Sequence, residues 1–145
     1  PELARRSQML GELLRFDTSL SARLTELAIL TCARHWTSHH EWKAHKQMAL
    51  AAGLEPEIIA AIAAGEPPVI PDAEGVLVHR ISRILLENGR LEPAIYADGI
   101  SVLGETALVE LVATLGYYCL VSLTLNTFEL GLPENVAPEL NDPQI

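Results

Sequence analysis

The chain has 145 residues, 49% of them hydrophobic but only 5% aromatic, with a formal net charge of −9. That length suffices for one domain with a real core, built mostly from Ala and Leu, which favour helices. All ten Lys and Arg lie at or before Arg90, while Leu91–Ile145 carries eight carboxylates and no basic side chain. Such a surface repels phosphate, which argues against nucleic-acid and anionic-membrane partners.

Residues 1–145 read as a single domain. The chain starts at Pro1 without a methionine, so an incomplete N-terminus is expected. No signal peptide is visible, and a cytoplasmic location is the expectation.

Residues 2–15 predict a helix with Leu3, Leu10, Leu13 and Leu14 on one apolar stripe. Phe16–Ser19 breaks it, and Ser19 or Ser21 caps a second helix running to about Trp36. Leu24, Leu27, Ala28 and Cys32 form its stripe, and Ile29 and Leu30 widen it, so burial on more than one side is expected. A break near Thr37-Ser38 starts a third helix that ends at Gly53, a natural left-handed cap. Pro56 opens a fourth helix to Gly65, and Glu66–Pro71 is an extended connector. Asp72 caps a fifth helix to Asn88-Gly89. A short sixth follows Leu91-Glu92-Pro93 to about Ser101. The last helix spans about Gly104 to Gly131, and the tail Pro133–Ile145 is expected to be mobile or draped over a neighbouring copy. The fold class is therefore all-α, with about seven helices and no strand pattern.

Ala107–Leu125 holds one formal charge, Glu110, over nineteen residues, which approaches the length of a membrane span. Tyr117, Tyr118 and several Ser and Thr interrupt it, and no Lys or Arg flanks it. A buried helix or a subunit contact in a homo-oligomer is the better reading. The two cysteines, Cys32 and Cys119, form no CxxC and read as free apolar thiols, with a disulfide between them as the alternative.

The chemistry concentrates in Glu26–Gly53, which holds four of the five histidines. Ser38, Glu41 and His45 share one helix face, and Glu41 and His45 are i, i+4 neighbours. Such a pair serves acid–base chemistry, or is an ordinary surface pair; spacing alone favours the latter. His39-His40-Glu41 followed by His45 is no HExxH, because His40 and His45 lie about 140° apart around a helix. No metal is expected. Glu26 is either a buried carboxylate with a partner or an exposed one beside Arg23.

The spacing Glu26-x11-Ser38-x2-Glu41-x3-His45, followed by an Ala-rich turn and Gly53-Leu54, resembles the carboxymuconolactone decarboxylase family, which includes alkyl hydroperoxidase D-like peroxidases. The resemblance covers Ser19–Gly65 well and implies the helical bundle of that superfamily. Its thiol peroxidases carry CxxC where this chain has Ser38 and Glu41. A Ser and a Glu cannot attack peroxide and close a disulfide, so that activity is disfavoured. The resemblance instead implies decarboxylation or a related lyase step on a small organic acid or lactone, without a cofactor. Glu41 and His45 are the expected acid–base pair, assisted by Glu26 and His40; Ser38, His39, Trp42 and Trp36 are the expected substrate contacts. The alternatives are a residual peroxidase and a non-catalytic small-molecule-binding or assembly protein.

Overall fold

The computed structural model describes residues 1–142. Those residues form seven α-helices and no strand: α1 (Glu2–Phe16), α2 (Ala22–His35), α3 (His39–Ala51), α4 (Pro56–Ala64), α5 (Ala73–Asn88), α6 (Pro93–Val102) and α7 (Glu105–Thr127).

α2 is the axis of the bundle. Every residue from Leu24 to Ala33 is buried, and the helix packs against α3, α5 and α7, with α4 and α1 closing its ends. A helix whose apolar residues Leu24, Leu27, Ala28, Ile29, Leu30 and Cys32 spread around more than one face belongs in the interior. Leu27, Ala28, Leu30 and Cys32 are fully inaccessible, and each large side chain so buried stabilises the fold by about 2 kcal/mol. Ser21 caps the helix through its hydroxyl, which accepts from Leu24 N–H at 3.3 Å. Arg23 binds both Glu55 and Asp72, at 2.8 and 3.0 Å, tying the start of α2 to the starts of α4 and α5.

The helix ends follow their local signals. Asp72 accepts from Gly75 N–H at 2.6 Å. Pro56 and Pro93 open α4 and α6, and Gly65 and Gly89 close α4 and α5 in the left-handed region.

Three features differ from the sequence expectation. The stripe on α1 is not core: Leu14 is buried, but Leu3, Leu10 and Leu13 are exposed, together with Met9 and Phe16. α1 rests on α7 through Gly11, a buried position where an added Cβ would collide with the Tyr117 phenol. The glycine is what lets the two helices approach so closely, and it turns only one narrow side of α1 inward.

α7 ends at Thr127 and not near Gly131. It is long and apolar enough to cross a bilayer by length and composition, with a mean hydropathy of 1.7 over its most apolar stretch. Here Leu108, Leu111, Thr114, Leu115, Tyr118 and Ser122 are buried against the other helices, while Val109, Val112, Leu120 and Leu123 face outward. Glu110 accepts from the Ser19 backbone N–H at 2.8 Å and from its hydroxyl, so the one charge within the apolar run caps a loop.

The tail is the third difference. Residues 139–142 fold back over α3 of the same chain. Leu140 is buried, Glu139 pairs with Lys46 and accepts from the Trp42 indole at 3.4 Å, and Asp142 meets His39 at 3.0 Å. Residues 143–145 of the expected tail lie outside the described residues.

Candidate acid–base site

The turn between α2 and α3 sets the site. Thr37 takes φ +47°, an unusual conformation for a β-branched residue, and Arg34 Nη1 donates to its hydroxyl at 3.3 Å. Ser38 N–H then donates to Ala33 C=O at 2.9 Å. The chain is turned back so that α3 packs along α2, and a residue one and a half turns into α3 reaches back to α2.

That residue is His45. Its Nδ1 lies 2.8 Å from Glu26 Oε2, and its Nε2 lies 3.4 Å from Glu41 Oε2. All three side chains are buried. A carboxylate that accepts Nδ1–H holds the imidazole in the tautomer with a bare Nε2. The ring edge of His45 also meets Tyr118, with centroids 4.9 Å apart and planes at 85°, so the imidazole is fixed in orientation as well as tautomer.

Glu41 differs from Glu26 in what it lacks. Its Oε2 is buried and makes no hydrogen bond; the contact to His45 is near but not aligned. Burial pushes the Glu41 carboxyl above the usual range, and the neighbouring His45 and His40 only partly oppose this. A carboxyl inclined to keep its proton thus faces a bare imidazole nitrogen. The imidazole stands between the two carboxylates, so the three cannot converge on one ion, and among the described residues no group of His, Cys, Asp or Glu is placed to hold a metal.

Glu41 and His45 open onto a cleft of about 290 Å³ between α1, α3 and α7. Its other walls include Ser7, Gln8 and Arg15 from α1 and Tyr117 and Tyr118 from α7. Among the described residues, Arg15 is the only Lys or Arg that lines it. It is half-buried, its Nε donates to Gly11 C=O at 3.4 Å, and its guanidinium lies over the Phe16 ring. None of these α1 and α7 residues was singled out from the sequence as a site residue. Arg15 sits in the last turn of α1, ahead of the spacing of carboxylates and imidazole, but nothing local says which way it turns.

The other expected residues are placed elsewhere. His40 is exposed and does not line the cleft. Ser38 is fully buried with an unpartnered hydroxyl, and it heads α3 without capping it through its side chain. His39 pairs with Asp142 of the tail. Trp42 is buried on the adjacent face of α3, where it lines a second cleft with Lys46 and Glu139. Trp36 donates its indole N–H to Cys119 Sγ at 3.2 Å. Of the eight, the structure brings together Glu26, Glu41 and His45.

No curated protein and no solved structure matches the chain. A family model does: it covers residues 1–69 and so spans α1 through α4, including the Glu26–His45–Glu41 group and Arg15. That model is the carboxymuconolactone decarboxylase family, and this N-terminal segment of the chain is similar to it.

Proposed function

We propose that the cleft between α1, α3 and α7 carries out acid–base chemistry on a small organic acid or lactone, a decarboxylation or a closely related lyase step, using the chain's own side chains. One observation carries this reading: a buried, unpartnered Glu41 oxygen beside a His45 nitrogen whose other side is held by Glu26. Burying an unsatisfied carboxyl costs about 1–3 kcal/mol, and an uncompensated polar group in a cleft is where function justifies such a cost.

The roles follow from the geometry. Arg15 is the counter-charge for an anionic substrate, which must enter a protein of net charge −9. When the carboxyl of such a substrate leaves as CO2, its electron pair moves onto the conjugated acceptor of the remaining acid or lactone, and the resulting carbanion must be protonated. The Glu41–His45 pair supplies the proton for that purpose, with burial favouring the protonated form of Glu41. Glu26 does not touch the substrate; it is a positioning residue that fixes His45 and stabilises the imidazolium formed if the proton passes through the ring. The tyrosines wall the cleft on the α7 side. Positions 38 and 41, which are cysteines in the peroxidase branch, here bring no thiol to this reaction.

The test is release of CO2 from a panel of lactone acids, followed by two variants on whichever substrate turns over. Glu41→Gln is expected to lower kcat by about 100-fold, and Arg15→Met to raise KM more than it lowers kcat. Full turnover in both variants would sink the proposal. With Glu41 as the acid, the wild-type rate also falls as pH rises through the raised Glu41 value.

A further inference from the structure

The two cysteines stand apart from this chemistry. Cys32 is on the fully buried α2, six positions beyond Glu26, and Cys119 is on α7, half-exposed. Though 87 positions apart in sequence, their Sγ atoms touch at 3.8 Å. Cys119 Sγ also accepts the Trp36 indole N–H at 3.2 Å. Trp36 is itself held, because Asn126, further along α7, donates its amide to Trp36 C=O at 2.8 Å. Cys119 thus has two polar neighbours aimed at its sulfur from a scaffold that pins them, whereas a thiol acting only as a small hydrophobe needs neither.

We propose that Cys32 and Cys119 form a reversible dithiol–disulfide site, opened to small external disulfides through Cys119 and closed by Cys32.

The two sulfurs are not equivalent, and the geometry assigns their order. Cys32 has no accessible surface, so an external reagent reaches Cys119 first. Donation from the Cys32 thiol, and then from the Trp36 N–H, lowers the Cys119 thiol to about 6 against the opposing effect of burial. Cys32 is pushed upward, first by its hydrogen bond to Cys119 and then by burial. Both shifts favour ionisation at the rim sulfur over the one behind it.

The exchange balances without another reagent. Cys119 ionises, and its thiolate attacks one sulfur of the external disulfide. That S–S bond breaks, a mixed disulfide forms on Cys119, and the other half leaves as a thiolate that takes up the proton Cys119 released. Cys32 then attacks Cys119 Sγ, breaking the mixed bond, and its own proton goes to the second departing thiolate. Two electrons pass from the protein to the external disulfide, which leaves as two thiols, and the Cys32–Cys119 bond remains. A dithiol reductant reverses the sequence. The product bridges α2 to α7, the helices that supply Glu26 and Tyr118 to the cleft.

The experiment treats the native, reduced protein with oxidised glutathione and reads intact mass and peptide maps. Loss of two hydrogens and a joined Cys32–Cys119 peptide, reversed by dithiothreitol, is the expected result. Cys32→Ala should instead trap glutathione on Cys119, and Cys119→Ala should leave Cys32 unmodified. A second measurement needs no variant: brief iodoacetamide treatment of the wild-type protein should label Cys119 at least about tenfold faster than Cys32. Failure to form the joined peptide, or labelling of Cys32 as fast as Cys119, would overturn the proposal.

Discussion

Two clefts flank α3, and they differ in a way that size alone would misreport. The larger, of about 660 Å³, is lined by Trp42, Lys46, Pro56, Ile59 and Glu139. The smaller, of about 290 Å³, holds Glu41, His45 and Arg15. Helical spacing produces the split: 41 and 45 share one face, and 42 and 46, each one residue on, share the next. In the larger cleft the charges are already spent, with Lys46 paired to Glu139 and the Trp42 indole satisfied by the same carboxylate. In the smaller one a buried oxygen of Glu41 is left without a partner. Unspent polar capacity, and not volume, marks the side of α3 where a reaction fits.

That contrast makes unequal demands on three substitutions. The largest effect is expected for His45→Ala, which leaves Glu26 and Glu41 buried without the imidazole between them. A loss of about 3 kcal/mol or more is expected in urea denaturation, with turnover abolished; a stability within experimental error of wild type would show that the buried group is not coupled as described. Glu41→Gln should act in the opposite direction on stability. Its carboxyl has a folded-state pKa raised above the unfolded one, so its favourable contribution is full below the unfolded value and is lost as pH rises through the folded value. The glutamine variant should therefore exceed wild type by about 1 kcal/mol at about pH 8 and gain nothing at about pH 4. A gain equal at both pH values would contradict the burial argument. The smallest effect belongs to the other cleft: Lys46→Ala removes a partly exposed ion pair and should change stability by less than about 0.5 kcal/mol, with turnover unaffected. A large loss of activity there would move the site to the wrong side of α3.

The helix ends were legible because their causes are local: Ser21, Asp72, Pro56, Gly65 and Gly89 each act within a few residues. Burial of α2 on more than one side was legible from Leu24, Leu27, Ile29 and Leu30, but burial of Glu26 within that run was not. What lay beyond reach was long-range. Spacing joined Glu41 to His45, but the stronger bond of that imidazole goes to Glu26, nineteen positions away, and needs the turn at Thr37. Arg15 and Tyr117 share a cleft with His45 only because α1 and α7 pack together. The leucines of α1 misled because periodicity reports an apolar stripe and not what covers it. The expected pocket walls Trp36 and Trp42 were drawn elsewhere, one to a sulfur on α7 and the other to the folded-back tail.

The contact at Gly11 sets a length scale for the cleft. Arg15 stands one helical turn beyond that glycine, on the helix it seats against α7. The distance from the guanidinium to the Glu41–His45 pair is therefore governed by how deeply α1 sinks onto Tyr117. Under the proposed function, a residue with no functional group would be the ruler of the site: it would set how far an acid's anionic end can stand from the carbon that receives the proton. Selectivity among acids of different length would then be written in backbone approach, at a position that touches no substrate.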